Sequence, residues 1–518
     1  MSSNLLKSSL VVSSMTLISR VLGLVRDVVI ADLVGAGLYA DVFLLAQKIP
    51  NFMRRLFAEG AFAQAFVPVL NEVITESNRN NNPQAIRYVI DRVAGTLGVI
   101  LLIITIVGVL GSTALAHLFG MGFGFADDEI KIPLLTLMIK ITFPYLMFIS
   151  LTAFAGGILN SYNRFVVPAI TPVFLNLSMI IAAVVVAPSL DLPVMALPWA
   201  VFIAGVVQLL FQIPFLWKLG VLPRPKWAWQ DSKVQQILKL ITPALFGVSV
   251  VQINLLLDSI LASFLVTGSI SWLYYSDRLL EFPLGIFAIA IATVVLPGLS
   301  KKHAEKSPKA FSEMLNWAIK LVLMIGIPAA AAMLILAEPL MLTLFQRGEF
   351  TLSDAQFASQ SLIAYTIGLN FFMLIKVLAP GYFSRQDTKT PVKIGLVAVA
   401  VNMIFNLALF RILGHVGLAL ATSISAVTNA GLLFFFLKRR GIYQATSGWL
   451  KWWFQIIFST TVLVVFLIYF SPAIENWQQG GFLFRSQWMG LLVLGGISLY
   501  VISLMVTGVR LRQILHRH

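Results

Sequence analysis

The chain has 518 residues and a formal net charge of +15; 58% of its residues are hydrophobic and 11% charged, against roughly 25% charged in an average globular protein. Apolar runs recur from end to end, so no sizeable soluble domain fits between them, and the chain reads as an all-α polytopic membrane protein. Absent cysteine excludes disulfides, thiolate zinc sites and cysteine nucleophiles.

Taken in chain order, the apolar segments predict about fourteen spans, each close to the roughly 20 residues needed to cross a bilayer. Their cores are 9–34, 40–72, 88–118, 132–157, 166–187, 194–217, 236–265, 271–298, 314–345, 357–383, 392–411, 415–437, 448–470 and 486–508. The first is a retained helix and not a cleaved leader, because Ser19, Arg20, Arg26 and Asp27 interrupt it and no small-residue cleavage site follows. Loops on the side of the N-terminus hold most of the cations, in groups such as Lys218, Arg224, Lys226, Lys233 and Lys239, then Lys301, Lys302, Lys306 and Lys309, then Lys438, Arg439, Arg440 and Lys451. The opposite loops hold Lys131, Arg347, Arg411 and Arg485. This asymmetry places both termini in the cytoplasm, requires an even number of spans, and accounts for the positive charge without nucleic acid.

Several spans carry charges that lipid would not tolerate. In the first, Ser13, Thr16, Arg20, Gly23 and Asp27 share one face, widened by Ser19 and Arg26. In the second, Asp41, Lys48, Arg55 and Glu59 align on a straight helix, although Pro50 predicts a bend; Arg54 sits beside them. The eighth carries Asp277, Arg278 and Glu281 ahead of Pro283, a predicted kink. Each arginine or lysine at mid-membrane costs roughly 2.5–3.5 kcal/mol even on insertion scales. Four facing lipid would cost about 10–14 kcal/mol, comparable to the whole stability of a domain. They therefore meet water, protein or an anionic ligand. Internal pairs such as Arg26 with Asp27 or Arg278 with Glu281 are one solution, and snorkelling is another for Lys48 and Arg55. A third is a water-filled cationic cavity for an anionic headgroup, which suits guanidinium, a planar fork that grips phosphate bidentately.

Two segments repeat. AFAGGILNSYNRFVVPAI (153–170) and VLAPGYFSRQDTKTPVKI (377–394) each run from a small-residue helix end through a polar basic turn to a proline. Six spans separate them, so the repeats are parallel, related by a pseudo-twofold axis along the membrane normal. The expected organisation is an N-lobe of spans one to six (1–220), a C-lobe of spans seven to twelve (221–440), and a C-terminal pair of helices (441–518), with the cavity between the lobes.

SRVLGLVRD (19–27), PNFMRRLFAEGAFAQAFVPVL (50–70), GSISWLYYSDRLLEFPLG (268–285) and VLAPGYFSRQDTKTPVKI, in that order and spacing, resemble the MurJ (MviN) family over essentially the full length. The resemblance implies a fourteen-helix transporter of the MOP exporter superfamily in the bacterial inner membrane, a monomer that flips lipid II, the undecaprenyl-diphosphate-linked peptidoglycan precursor, by alternating access. It places the family's cavity arginines on Arg20, Arg26, Arg54 and Arg278, with Asp27 holding Arg26, and makes Asp41, Glu59, Ser271 and Glu281 cavity or gate positions. Spans thirteen and fourteen would form, with the C-lobe, a groove for the polyprenyl tail. Some members bind sodium, and the matching positions are Asp258, Asn402, Asn406 and Thr422 with the Leu418 carbonyl; Asn406 stands where a carboxylate is expected, and a plain polar stripe between helices is the alternative. Beyond sodium as a coupling ion, no cofactor is implied. The implied partners are lipid II, membrane phospholipid and proteins of cell-wall synthesis or division. A flippase for another polyprenyl-diphosphate oligosaccharide and a non-transporting scaffold of the cell-wall machinery are the rivals. A drug exporter would want an acidic cavity, and a glycosyltransferase would want paired acids that the sequence does not display. No Walker A pattern points to ATP, whereas exporting one negative charge across about 100 mV releases about 2.3 kcal/mol.

Overall fold

The computed structural model describes residues 3–55, 62–125 and 129–509, and among these there are helices and connections but no strand. The chain separates into two compact units, Met1–Ile270 and Ser271–His518. This division follows contacts and falls after span seven; the division at 220 follows the internal repeat.

The first unit contains α1 (Ser3–Val34), α2 (Leu38–Arg54), α3 (Phe62–Arg79), α4 (Gln84–Leu110), α5 (Ser112–Phe119), α6 (Lys131–Thr142), α7 (Tyr145–Ser161), α8 (Val166–Ile181), α9 (Ala196–Lys218) and α10 (Ser232–Ser263). α1 packs along α8, α7 along α9, and α3 against α7 and α10. Phe66 and Phe154 meet at 4.9 Å between ring centroids in the core of this unit. Asp231 caps α10 by accepting from the Lys233 and Val234 N–H groups at 3.0 and 3.3 Å, which satisfies donors a helix N-terminus leaves open. The connection before α10 lies directly on α4, where the Lys226 N–H donates to the Asp91 carbonyl at 2.9 Å. A Cβ on Gly95 would stand 2.3 Å from the Lys226 backbone, so only glycine permits that approach.

α11 (Ser269–Pro283) leads into the second unit, which continues with α12 (Ile289–Ala304), α13 (Pro308–Ile335), α14 (Ala337–Leu344), α15 (Leu352–Phe383), α16 (Lys389–Arg439), α17 (Trp449–Phe470), α18 (Ile474–Gln479) and α19 (Phe482–Val506). After Pro283 the helix widens into a π-turn, Leu284–Ala288, the kink expected where proline withholds an N–H. The eleventh and twelfth spans are the two helices of α16, which meet in a kink at Gly414, whose φ of 57° and ψ of −135° are open to glycine alone. Among the described residues nine helices are long and apolar enough to cross a membrane, α16 counted once.

The repeated segments share a turn geometry. In the first, Asn163 has φ 59° and the Arg164 N–H reaches back to the Leu159 carbonyl at 2.8 Å; in the second, Gln386 has φ 62° and the Asp387 N–H reaches the Tyr382 carbonyl at 3.1 Å. Both close a helix with a left-handed residue and a bond spanning five positions.

α17 and α19 pack on each other, α17 on α13 and α19 on α14. Polar pins hold them. Asn316 of α13, 2% exposed, donates to the Gln444 carbonyl at 2.7 Å and accepts from the Tyr443 hydroxyl at 2.9 Å and from Trp449 Nε1 at 3.0 Å. Arg485, expected in a loop, is buried at the start of α19 instead, and donates to the carbonyls of Trp477, Leu342 and Gln478 at 2.7, 3.1 and 2.8 Å. Three carbonyls oriented on one guanidinium recover in the protein what the charge loses in leaving water.

Candidate substrate-binding residues

α1 packs along α8, and the Arg26–Asp27 end of its polar face turns toward that helix. There Arg26 is 8% exposed and Asp27 fully buried. Arg26 donates through Nε and Nη2 to one Asp27 oxygen at 2.9 and 2.6 Å, and through Nη1 to Asn176 Oδ1 of α8 at 3.1 Å. Asn176 in turn donates to the Ser19 carbonyl at 2.9 Å. The expected Arg26–Asp27 pair is thus present, with a third member that the sequence reading missed; the signal was a lone asparagine in the apolar stretch TPVFLNLS. Arg20, six positions earlier, is half-buried and has no hydrogen-bonding or ionic partner among the described residues.

On α2 the residues separate by depth. Asp41 is 2% exposed and accepts from the Gly268 N–H at 2.7 Å. Lys48 donates to Ser259 Oγ of α10 at 2.8 Å, which ties α2 to α10 inside the unit. Arg54 is half-buried with Nε 3.4 Å from Asn51 Oδ1, and Arg55 is exposed at the helix end. Glu59 and the middle of the RRLFAEGAF block lie outside the described residues. Lys131, expected in a loop, opens α6 buried, with Nζ 2.8 Å from Thr267 Oγ1 and 5.2 Å above the Phe123 ring. Asp41 and Lys131 therefore both act on the short connection between α10 and α11.

In the second unit, Arg278 donates to Glu281 at 3.1 Å with side chains 28% and 42% exposed, so this second expected pair is also present but open to solvent. Asp277 is exposed beside it, and Ser271 is wholly buried. The sodium candidates of this unit form one cluster. Asn402 and Asn406 are fully buried; Asn406 donates to Asn402 Oδ1 at 2.8 Å, Asn402 lies 3.4 Å from Thr422 Oγ1, and Thr422 donates to the Leu418 carbonyl at 3.0 Å. Asp258 belongs to the first unit and is half-buried. Among the described residues no group of three or more histidines, cysteines or carboxylates could hold a metal.

The turn between α15 and α16 carries a separate ion pair at its surface. Asp387 accepts from Arg440 at 2.8 Å and from Thr390 Oγ1 at 2.7 Å. Desolvation pushes its carboxyl up, but the Thr390 hydrogen bonds and the Arg440 guanidinium outweigh it and hold the group below the ordinary carboxylate range.

Comparison with known proteins points one way. The family model of the lipid II flippase MurJ matches residues 30–487. The chain is 51% identical over 519 residues to a probable lipid II flippase MurJ of Vibrio cholerae serotype O1, covering 99% of this chain and 98% of that one. A solved lipid II flippase MurJ in an inward closed conformation superposes with a TM-score of 0.80 at 27% identity, covering 98% of this chain and all of that one. An inward-facing multidrug resistance MATE family transporter of the MOP superfamily shares the fold, with a TM-score of 0.66 at 14% identity, covering 83% and 98% of the two chains.

Proposed function

Since this chain belongs to the lipid II flippase MurJ family, we infer that its charged helices handle the diphosphate headgroup of lipid II. The protein is a multi-pass membrane transporter that flips this lipid, and not an enzyme. A bare diphosphate crossing hydrocarbon would face a prohibitive desolvation cost. Arg20, Arg26, Arg54 and Arg278 replace its hydration with fixed donors, while the undecaprenyl tail stays in the bilayer.

The observation that carries this reading is the Arg26–Asp27–Asn176 cluster. A guanidinium held by two neighbours at fixed distances is oriented before any ligand arrives. Arg20, without a partner among the described residues, is the donor with bonding capacity to spare on the same face. Asp27 and Asn176 act through Arg26 and are positioning residues. Lys48 and Asp41 brace α2 and the connection into α11. The net movement is toward the periplasmic leaflet of the inner membrane, with both termini cytoplasmic, as the distribution of loop cations supports. The membrane potential favours that direction for an anion.

The neutral oxygens of Asn402, Asn406, Thr422 and the Leu418 carbonyl make a hard donor set suited to a weakly bound monovalent ion such as sodium. In that role their hydrogen bonds would exchange for ion contacts.

The deciding experiment reconstitutes the purified protein in liposomes and follows headgroup translocation of lipid II beside another polyprenyl-diphosphate oligosaccharide, with and without sodium. Translocation of lipid II, and its recovery by mass spectrometry as the copurifying lipid, is the expected result. Translocation of the other lipid alone would make the chain a sibling exporter, and movement of neither would reduce it to a scaffold.

A further inference from the structure

The second unit encloses an apolar cavity of about 620 Å³, bounded by α13, α15, the second half of α16 and the start of α17. Leu323, Leu374, Phe434 and Trp449 form its wall. α19 contributes no lining residue, so this is not a groove built on the two C-terminal helices together. Lys438 is the one charged residue in the lining. It is exposed and has no hydrogen-bonding or ionic partner among the described residues, whereas Arg440, two positions on, is engaged by Asp387 and Thr390. Trp449, Trp452 and Trp453 stand edge to face beside the opening, with ring centroids 5.0 to 5.2 Å apart for adjacent pairs. Indole rings of this kind favour the level where headgroups meet hydrocarbon.

From an uncommitted cation at the opening, an aromatic collar and an apolar interior, we propose that the cavity binds one acyl chain of an anionic glycerophospholipid, whose phosphate pairs with Lys438. The order of these three layers is the order of phosphate, glycerol ester and hydrocarbon in such a lipid. Charge complementarity selects an anionic headgroup, because no acid lines the cavity to repel it. Gly431 leaves room for the chain: a Cβ built on it meets nothing within 4 Å. The bound lipid would sit where α17 leaves the turn that Asn316 secures, filling space that side chains do not.

The test uses the full-length protein in liposomes containing phosphatidylglycerol with a photoreactive diazirine at the end of one acyl chain, and maps adducts by peptide mass spectrometry. Adducts are expected on α13, α15 and the second half of α16. Gly431→Phe, which places a ring in the void, should abolish them. Lys438→Glu should lower them by about fivefold, the effect of one interfacial cation, while leaving labelling by the corresponding phosphatidylcholine unchanged. Thermal unfolding of Gly431→Phe confirms that it folds; if it does not, Ala445→Trp closes the opening from the connecting turn and should give the same loss. Undiminished adducts in the filled variant, or equal labelling by the two lipids, would overturn the proposal. So would displacement of the probe by undecaprenyl phosphate where unlabelled phosphatidylglycerol fails to displace it, since the occupant would then be a polyprenyl chain. Labelling is read without transport, so its outcome stands apart from that of the flippase assay.

Discussion

Arg26 and Arg278 are the same side chain on apolar helices, yet their surroundings differ. Arg26 lies buried in the first unit and spends three of its five N–H donors on Asp27 and Asn176. Arg278 lies in the second unit, more than a quarter exposed, and meets Glu281 three positions along its own helix. A buried guanidinium that loses a partner is left with an uncompensated charge, whereas an exposed one recovers water. The two arginines should therefore fail differently when their neighbours are removed, even though the proposed headgroup binding gives both the same task.

The largest effect should come from removing the common function. Arg20, Arg26, Arg54 and Arg278 all changed to alanine should abolish growth of a host that has this protein as its sole flippase, with the protein still present in membranes. Normal growth would end the headgroup assignment for both arginines at once. Next, Asp27→Ala should cost about 3–5 kcal/mol of unfolding free energy, as expected on breaking a buried pair, together with most of the transport. Asp27→Asn should be milder in both, because its amide oxygen still accepts from Arg26. Finding asparagine worse than alanine would show that Arg26 is not held through this bond. At the second arginine, Glu281→Ala should shift stability by no more than about 1 kcal/mol. Arg278→Ala should be equally benign for stability yet lose lipid II translocation, and Arg278→Lys should restore little of it, since ammonium is not a planar fork. A thermal shift on Glu281→Ala as large as that on Asp27→Ala would erase the contrast.

The smallest effect lies at Asp387, another solvent-facing pair. Its folded carboxyl is held below the ordinary range, so the stabilisation it supplies is present above the unfolded value and is lost as pH falls through the folded one. Unfolding temperatures of the wild type and Asp387→Asn should therefore differ slightly at neutral pH and converge under acid. A gap that widens on acidification would reverse the sign of this linkage.

Much of the fold was legible because bilayer thickness imposes a length on apolar runs, and because Pro283 and the two repeated turns act on the backbone within a few residues. The Arg26–Asp27 and Arg278–Glu281 pairs were legible for the same reason, being neighbours in sequence. What stayed hidden depends on contacts between distant segments. Nothing local tells Asn176 that it will meet a guanidinium 150 positions earlier. Lys131 and Arg485 have the charge of loop residues, but Thr267 and three carbonyls draw them inside.

Asn316 has a consequence for how the protein is made. Its side-chain oxygen is satisfied by Tyr443, Thr446 and Trp449, which leave the ribosome 127 to 133 residues later. At roughly 5–20 residues per second, α13 waits about 6–27 s in the membrane with a polar carbonyl that has no permanent partner. During that interval an insertase, a chaperone or a stray water must shelter it. A ribosome stalled before residue 443 would therefore leave that oxygen without any of these three donors.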